Sequence, residues 1–535
     1  LEVGGMLAVD QYWTNDVTYN VVDNLFIPDG VTLTIESGSE IRVNDSYHIR
    51  VEGNLIAIGA ESERITFTSN SEDPGNGNWV GIWLNGTDLE LDDSDNYISG
   101  TTLQYCDIKY ADTGINMQGT ALISYSTFTE NSSGLYYDGA SNTIVRYSDF
   151  QFNGTGINHR TGCGGSSNNN QFIQNTVNLN SSSGISFGGY CTSTNDNLFL
   201  NNTIYDNGGT GLDCGWSNIG SGFNNNIIQG NEIYNNGGNG IVFSHDGNQI
   251  IDNLIYNNSG DGIGFSGAYY GSGTLVSNNM ISENAGWGIA MNGTPYEGAS
   301  FEYNDIFLNG NGIYICAQDA YSPNCGSGGI DIRYNNVSNN FDIGMKVGGT
   351  GQIEYNSMAN NGGDYMFINT SGDDISAINN WWGTIDVAEI EAIIYDYDDD
   401  YNLGNVIYSP LLISDGGDSN YAPEIDASVD VSLGVIPVTV NFSVSATDPD
   451  GSISTYQWDF DNDGNFDYES SDNGSVSHTY NEAGYYVATL KVTDDLGVYS
   501  FVSFEITAVE PGSVLEVGGM LAVDQYWTND VTYNV

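Results

Sequence analysis

Four aspartates in the last quarter of the chain have the residue type and spacing of a cation site. They surround Gly464, and alternate oxygen side chains around a glycine turn resemble half of a calcium-binding loop. A full loop needs a bidentate Glu at the twelfth position, but Ser470 stands there and the nearest acid is Glu469. The pattern predicts Ca²⁺ as the one candidate cofactor, with a plain acidic hairpin turn as the alternative. The four residues are Asp459, Asp461, Asp463 and Asp467.

Six cysteines could form disulfides, and none of them lies in a Cys-x-x-Cys metal pattern. Cys316 and Cys325 flank an insertion, and we expect them to close it as a disulfide. Two of the three cysteines in or beside neighbouring insertions could also pair, with Cys163 and Cys191 as the expected pair and Cys214 as the third member. Bridged insertions predict an oxidising, extracellular compartment.

Twelve Asn-x-Ser/Thr sequons are consistent with the same compartment and are candidate glycosylation sites. A chain rich in Asn, Ser and Thr also produces such triplets by chance. The acceptor residues are Asn44, Asn85, Asn131, Asn153, Asn180, Asn201, Asn257, Asn292, Asn336, Asn369, Asn441 and Asn473.

A phrase repeated twelve times between residues 106 and 383 must build the scaffold that positions these residues. Clear copies run Asn231-Glu-Ile-Tyr-Asn-Asn236 and Asn253-Leu-Ile-Tyr-Asn-Asn258, and the first positions lie 20 to 31 residues apart. The third position is apolar in every copy, which predicts an inward stripe. The sixth is Asn in ten copies, and Asn tolerates left-handed backbone geometry and can bond a stacked copy. We therefore expect corners there. Cys106 takes the first slot of its copy and is predicted to be a small buried residue.

A Gly-apolar pair follows each clear copy, as in Gly240-Ile241 and Gly262-Ile263. Short strands with fixed corners cannot bury one apolar stripe alone, but stacked coils can. The pattern resembles the right-handed parallel β-helix repeats of the pectin-lyase-like superfamily and of archaeal and bacterial surface proteins. The resemblance implies an all-β solenoid, whose opening coils are the alternating strands of the first hundred residues.

An enzyme on such a scaffold is the least favoured functional reading. The resemblance implies that lyases of this fold would use calcium-bound carboxylates with an Arg or Lys base, and hydrolases a pair of Asp. Arg146 and Arg160 lie about one coil apart, near Asp149 and His159, but surface ion pairing explains them as well. We find no hydrolase signature and predict no catalytic residue.

The chain after the repeats changes its pattern twice. Asn379-Asn-Trp-Trp-Gly383 is expected to close the stack with Trp382 in the core slot. A short capping helix, with Ile390, Ile393 and Ile394 on one face, and an edge strand at Val406-Ile-Tyr-Ser-Pro410 are expected to follow. From residue 422 the sequence has only strand periodicity. Trp458-Asp-Phe460, His478-Thr-Tyr480 and Val492-Thr-Asp494 resemble motifs of the polycystic-kidney-disease (PKD) domain, which implies an immunoglobulin-like β-sandwich. His478 belongs to that pattern, so we predict a packing role.

The predicted domains follow from these changes. They are a β-helix (1–412), comprising opening coils (1–100), repeats (101–383) and a capping helix with an edge strand (384–412); a linker (413–421); a PKD-like sandwich (422–510); and a second linker with the start of another unit (511–535).

The strongly acidic composition of the chain limits the molecules that it can bind. Lys and Arg number 9 against 69 Asp and Glu, a formal net charge of −60 at pH 7. Nucleic acid and anionic membranes are therefore poor partners, because binding them needs basic residues. No apolar run of membrane length is present, so no direct membrane insertion of this segment is expected. Aromatic residues make up 12% of the chain, which argues against disorder.

Residues Leu515 to Val535 are identical to residues Leu1 to Val21, and 21 consecutive identities cannot arise by chance. A 514-residue unit therefore starts again, and units joined head to tail form an open assembly. The sequence predicts a structural cell-surface filament, stalk or sheath whose partners are copies of itself. The first alternative is a carbohydrate-binding adhesin, in which tyrosines such as Tyr205, Tyr234 and Tyr256 would stack on surface glycans. The second is a polysaccharide lyase or hydrolase.

Overall fold

A computed structural model gives the fold of the chain. It divides into two compact units, Leu1–Gly417 and Asp418–Val535. The residues that the structure describes are 1–86, 89–92, 95–159, 165–188, 193–215, 222–265, 272–293, 298–317, 329–349, 351–384, 387–408, 412, 423–448, 451–461, 465–495, 499–511, 514–516 and 532–534.

The first unit is a solenoid whose coils have three faces. Its first face is a 14-stranded parallel sheet. The strands of this face, in chain order, are Gln11–Trp13, Thr32–Ile35, Asn54–Ile58, Thr102–Gln104, Leu122–Ser124, Ile144–Arg146, Gln171–Ile173, Leu198–Leu200, Ile227–Gln229, Gln249–Ile251, Leu275–Ser277, Ala299–Glu302, Ile330–Arg333 and Gly351–Glu354.

The second and third faces together form one 28-stranded sheet. Glu2–Met6 and Tyr19–Ile27 each span both faces. The second face continues with Glu40–Val43, Ile65–Ser69, Cys106–Lys109, Thr127–Thr129, Asp149–Gln151, Thr176–Asn178, Thr203–Tyr205, Glu232–Tyr234, Leu254–Tyr256, Met280–Ser282, Asp305–Phe307 and Asn336–Ser338. The third face continues with His48–Val51, Trp79–Leu84, Ala111–Met117, Ser133–Tyr137, Thr155–His159, Ile185–Ser186, Leu212–Asp213, Ile241–Phe243, Ile263–Phe265, Trp287–Gly293, Asn311–Ala317, Met345–Gly348, Phe367–Asn369 and Ile394–Tyr395.

The third position of the repeated phrase points into the solenoid, as predicted. All twelve apolar side chains in this slot are buried, from Ile108 to Trp382. Consecutive copies are direct partners in register, so Ile233 lies on Ile255 and Ile255 on Ile281. Stacking therefore turns one residue per coil into a continuous core. Cys106 is also fully buried, and burial raises the pKa of its thiol.

The asparagines of the phrase form ladders inside two corners of the coil. At the first corner Asn231 bonds Asn253, and at the second corner Asn236 bonds Asn258, each through Nδ2 to Oδ1. The backbone N–H of each donor residue goes to the same Oδ1 atom. The expectation that stacked copies bond one another is confirmed, and the ladders satisfy backbone donors that the turns leave without a strand partner.

The left-handed residue of each corner is the one before the Asn, which the sequence did not indicate. Leu179, Tyr303 and Leu308 have φ values of 55°, 56° and 56° and are exposed, whereas the Asn residues that follow them are buried. The turn at the preceding residue aims the next side chain inward. Asn is therefore selected here for its hydrogen bonds, more than for its tolerance of positive φ.

A third ladder runs along the remaining corner, between the third and first faces. Asn170, Asn197, Asn226 and Asn248 bond in sequence, each Nδ2 donating to the next Oδ1 at 3.0 to 3.1 Å. Thr143 Oγ1 donates to Asn170 Oδ1 at the start. Sequence reasoning missed this ladder, although its asparagines lie five residues before the first Asn of their phrases.

The Gly-apolar pair needs glycine because a side chain at this position would clash with the next coil. A Cβ atom on Gly240 would lie 2.5 Å from Cγ2 of Ile255 and 2.6 Å from the carbonyl oxygen of Gly262. Its φ is not in the left-handed region, so glycine is needed here because the coils approach closely and not because of its backbone freedom.

The C-terminal part of the solenoid differs in detail from the expectation. The helix is Val387–Ala392, and Ile390 is buried. Ile394, predicted on the same helical face, instead lies in the third-face strand Ile394–Tyr395, which pairs with Phe367–Asn369. The strand pairing extends the sheet by one more coil, and backbone hydrogen bonding outweighs the helical pattern.

Two further strand pairs belong to this unit. Val406–Ile407, within the predicted edge strand, pairs in parallel with Ile375–Ser376. Glu90–Leu91 and Tyr97–Ser99 form an antiparallel hairpin outside the coils.

The second unit contains the predicted sandwich. Its three-stranded sheet comprises Glu424–Val429, Val438–Thr447 and Val476–Tyr480; its five-stranded sheet comprises Leu433–Val435, Tyr499–Val509, Gly484–Asp494, Ile453–Asp459 and Tyr468–Ser470. Trp458, Phe442 and Leu490 are buried in its core. The ring of His478 stacks on Phe460 with centroids 4.1 Å apart, so His478 packs as predicted. Val514–Glu516 and Thr532–Asn534 form a separate parallel pair.

Candidate functional site

Three of the four predicted calcium ligands converge at one end of the strand Ile453–Asp459. Asp459, Asp461 and Asp467 each place a carboxylate oxygen within 4.8 Å of the others. Asp459 is buried, while Asp461 and Asp467 are exposed. Asp463 lies outside the described residues.

The oxygen set suits a hard cation. Ca²⁺ bonds its oxygen ligands at about 2.3–2.6 Å, so oxygens that share one ion lie within about 5 Å of each other. Asp467 is fixed from both sides, because its Oδ2 accepts the N–H of Phe460 at 2.8 Å and its own N–H donates to the carbonyl of Trp458 at 2.7 Å. With one oxygen each, three carboxylates supply at most half of the six to eight oxygens that Ca²⁺ takes, so backbone oxygens or water would complete the shell.

Three described arginines of the solenoid contact neighbouring polar groups. Arg64 Nε pairs with Asp107 at 2.7 Å, and Arg146 Nη2 donates to the carbonyl of Asp95 at 3.0 Å. Arg333 Nη2 lies 3.8 Å from Asp331. Arg160 lies outside the described residues, so its expected proximity to Arg146 is a prediction still.

His159, on the third face, points into the core. It is 1% exposed, and its ring lies 4.9 Å from that of Phe187. Burial lowers the pKa of His159 to about 4, so the ring is neutral at pH 7. In register it follows Tyr137, Met117 and Leu84, which are apolar or aromatic. It occupies a core slot, where it cannot reach a substrate outside the coil.

Tyr205, Tyr234 and Tyr256 stack on one another along the second face. Their ring centroids are 4.9 and 4.8 Å apart and the planes are within 5° of parallel. Tyr256 also donates to Oε1 of Glu232 at 3.0 Å. Within the row, each ring covers the face of its neighbour. Only the outer faces of the two end rings could therefore stack on a sugar.

Comparison with known families agrees with this geometry. A model described as a right-handed β-helix region matches residues 113–267 and 217–382, which together run from residue 113 to residue 382. The chain belongs to the right-handed β-helix family. A pectate-lyase-like β-helix domain matches residues 5–113, and a PKD domain matches residues 420–508. Both resemblances inferred from the motifs are thus confirmed, and both architectures are typical of secreted or surface proteins.

Solved structures resemble the two parts separately. The PKD domain of an M14-like peptidase from a Thermoplasmatales archaeon is 29% identical over 17% of this chain and 97% of that domain, with a TM-score of 0.15. The A-module of mannuronan C-5 epimerase from Azotobacter vinelandii is 17% identical over 57% of this chain and 86% of that one, with a TM-score of 0.34. A structure described for carbohydrate-binding modules of the β-sandwich superfamily is 30% identical, with a TM-score of 0.16. This chain covers 37% of it, and the match spans 18% of this chain.

Four predicted glycosylation acceptors lie inside the β-helix. Asn131, Asn153 and Asn180 are consecutive members of the second-corner ladder, and Nδ2 of each donates to the next Asn. Asn369 is also buried, and its Nδ2 donates to the carbonyl of Gly404 at 2.8 Å. In the folded chain these amides are structural and inaccessible, which corrects the prediction for them.

The other acceptors differ in exposure. Asn201, Asn257, Asn441 and Asn473 are exposed, and Asn44, Asn85 and Asn336 are half-buried. The side chain of Asn292 lies outside the described part. The four exposed residues remain the accessible candidates.

The cysteine predictions fall largely on undescribed residues. Cys163, Cys191, Cys325 and the side chain of Cys316 lie outside the description, so the two disulfides stay predictions. Cys214 is buried and unpaired in the β-helix core, and burial raises the pKa of its thiol.

The duplicated segment makes the same strand pair at both of its positions. In the first coil Glu2 is the parallel partner of Asn20. In the second copy Glu516 is the parallel partner of Asn534, which are the equivalent residues. Leu515 pairs with Tyr533 there, and Val535 lies outside the described residues. The described residues 514–516 and 532–534 therefore repeat the strand register of the first coil.

In the described part of the chain, no helix has the length and apolar character needed to cross a bilayer.

Proposed function

We propose that the chain is a structural unit of an extracellular filament, stalk or sheath in which β-helix and PKD domains alternate head to tail. The observation that carries the proposal is the identity of residues 515–535 with residues 1–21, together with their shared strand register. A strand pair after the sandwich that repeats the first strand pair of the chain allows the same unit to follow. Head-to-tail repetition of one unit gives an open assembly.

The interior of the β-helix is consistent with a load-bearing role. The three Asn ladders bond each coil to the next through buried side chains. A solenoid gains its stability from such contacts between neighbouring coils. The ladders therefore support a scaffold whose cohesion runs along the stack.

A non-catalytic role is part of the same proposal. The first coils match a pectate-lyase-like β-helix domain, so the fold alone does not exclude catalysis. However, Arg64, Arg146 and Arg333 are held in local contacts, and His159 is buried. These contacts favour a structural solenoid surface over an acid–base site.

Cations are the expected partners of the assembled protein. A net charge of −60 opposes close packing of units unless salt or bound ions screen it. We propose Ca²⁺ at the cluster of Asp459, Asp461 and Asp467, where it would neutralise part of that charge beside the sandwich core.

Imaging and mass measurement of native material test the proposal together. Negative-stain micrographs should show filaments or sheaths with a regular repeat, and the denatured chain should contain more than one copy of the 514-residue unit. Only isolated particles, in material whose chains carry a single unit, would overturn it.

A further inference from the structure

The exposed apolar side chains of the repeats lie along one side of the solenoid. Among the described residues between 101 and 383, eight large apolar side chains are exposed. Three of them are tyrosines at the first corner, and Met280 lies on a strand of the second face. Phe152, Leu179, Leu308 and Phe341 lie at or just after the second corner. The second face and its two corners therefore carry all eight, and the first and third faces carry none among their described residues.

The fold itself does not call for apolar residues at the second corner. Phe152, Leu179 and Leu308 have φ values of 57°, 55° and 56°. Asp206 and Asn235 take the same left-handed position in other coils, and Asn and Asp adopt this conformation more readily than Leu or Phe. An exposed Leu or Phe here adds backbone strain and leaves apolar surface in water. A contact with another molecule would account for both.

The four apolar residues of the second corner are arranged symmetrically along the stack. Eight consecutive strands of the second face lie between residues 149 and 338 and pair in register. Phe152 follows the first of these strands, and Leu179 follows the second. Leu308 follows the seventh strand, and Phe341 comes after the eighth. Reversing the order of the strands therefore brings each of these apolar corners onto another one.

A two-fold axis makes this reversal between two copies of the chain. An axis parallel to the strands, placed between the fourth and fifth of the eight, turns the stack around and keeps each corner opposite the same corner. Leu179 would then oppose Leu308, and the coil of Phe152 would oppose the coil of Phe341. Identical copies form a closed pair through a surface that is complementary to itself in this way.

The acids on this surface are compatible with the same arrangement. The outward strand positions carry three acids, and the two-fold axis places an uncharged residue opposite each of them, for example Leu254 opposite Glu232. At the corners, Asp206 and Glu283 are the one pair of acids that would meet, and both are exposed. Salt that screens this pair should strengthen the contact.

The second face is also wide enough for a protein contact. In each of the eight coils only two residues separate the first-face strand from the second-face strand, and at most six separate the second from the third. No long insertion therefore borders this face. Eight strands about 4.8 Å apart and about five residues at about 3.3 Å give a face of roughly 34 by 17 Å. That is roughly 600 Å² before side-chain relief is added, close to the approximately 800 Å² per partner of a stable interface.

We propose that the second face binds the second face of another copy, with the two β-helices running in opposite directions. The strands would pack sheet against sheet, and Leu179 and Leu308 would be buried against each other on both sides of the axis. The inference deepens the filament proposal and rests on it, because sideways pairing of head-to-tail arrays would build a sheath. It adds a contact that head-to-tail repetition does not supply.

Sedimentation equilibrium of the full chain tests the pairing, because the proposed contact needs no tandem units. The parent should form a dimer, and its dissociation constant should fall as the NaCl concentration rises. Leu179→Glu places a carboxylate against Leu308 at both ends of the dimer and should raise the dissociation constant about tenfold or more. Leu179→Glu combined with Leu308→Lys sets opposite charges face to face and should recover most of the lost affinity.

A second double variant is the matched control. Leu179→Glu combined with Ile98→Lys has the same net charge, but Ile98 is 58% exposed on the hairpin outside the coils. This control should stay as weak as Leu179→Glu alone. Circular dichroism should show that all variants unfold at the temperature of the parent, so that a lost dimer does not reflect a lost fold.

Three results would overturn the proposal. They are a parent that stays monomeric at every salt concentration, a Leu179→Glu variant that dimerises like the parent, and equal recovery in both double variants. The first result would leave the second face to a different partner, such as a glycan. The head-to-tail proposal can fail independently: a dimeric full chain, with native material made only of isolated single units, would overturn the filament and leave the sideways contact standing.

Discussion

The side chains of Asn231 and Asn253 lie on consecutive coils and share one hydrogen-bond acceptor. Oδ1 of Asn253 accepts both Nδ2 and the backbone N–H of Asn231, each at 2.9 Å. Nδ2 of Asn253 donates in turn to Oδ1 of Asn279 and to the carbonyl of Ile228, also at 2.9 Å. One buried amide therefore connects three coils, which makes this residue a sensitive point of the solenoid.

Replacing Asn253 by Asp should destabilise the β-helix. The carboxylate keeps an acceptor for Asn231, but it loses both amide donors and places negative charge against Oδ1 of Asn279 and the carbonyl of Ile228. A buried group left without its partner costs about 1–3 kcal/mol, and a charged one costs more. Thermal unfolding followed by circular dichroism measures the effect as a lower Tm. Asn257→Asp is the control, because the same change falls there on an exposed side chain. Equal loss in both variants would contradict a special role for the ladder.

Replacing Gly240 by Ala should also destabilise the solenoid, through crowding between coils. The new Cβ would meet Cγ2 of Ile255 and the carbonyl of Gly262. Overpacking of this kind typically costs about 1–3 kcal/mol. Hydrogen exchange should become faster in the coil of Gly240 and in the one that follows. Gly75→Ala provides a comparison, since its Cβ would have nothing nearer than 4.0 Å. If hydrogen exchange around Gly240 is unchanged, the coils accommodate the added methyl group at little cost and the expectation is wrong.

Acid should weaken the solenoid partly through His159. Burial lowers its folded pKa from 6.5 to about 4. Between these values the unfolded chain binds a proton that the folded chain does not, so this contribution is fully present above pH 6.5 and is lost as pH falls toward 4. His159→Met puts an apolar side chain in a slot held by Met117 two coils earlier. Between pH 7 and pH 4, the Tm of the variant should fall less than the Tm of the parent. Parallel Tm curves for the two proteins would contradict the assignment.

The sequence predicted most of the β-helix because its repeat is local and strict. The apolar slot follows from position three of one phrase and the two Asn ladders from positions one and six, and stacked copies place like on like. The third ladder, at residues such as Asn197 and Asn226, uses the same five-residue spacing. It was missed because insertions of variable length precede it and separate it from the end of the preceding phrase.

Other errors come from interactions that sequence periodicity does not encode. Ile394 has the spacing of a helical face, yet an open strand edge at Phe367–Asn369 takes its backbone into the sheet. Asn131 fits a sequon, but only the ladder shows that its amide is used. At the candidate cation site, by contrast, the spacing of the residues and the structure agree. The spacing of Asp459, Asp461 and Asp467 predicted a cluster, and their carboxylate oxygens lie within 4.8 Å of one another.

Calcium binding at that cluster can be tested with an isosteric change. Asp467→Asn removes one negative charge, while its side-chain oxygen can still accept the N–H of Phe460. Isothermal titration of the full chain with CaCl₂ should show that the variant loses one set of sites. The parent sandwich should gain stability with calcium, by about 2.7 kcal/mol at a free concentration 100 times Kd. Glu424→Gln, an exposed acid on the other sheet, removes the same charge and should leave both readouts unchanged. If Asp467→Asn and Glu424→Gln bind calcium equally well, the aspartates form only an acidic turn. The stability of the sandwich would then not depend on a bound cation.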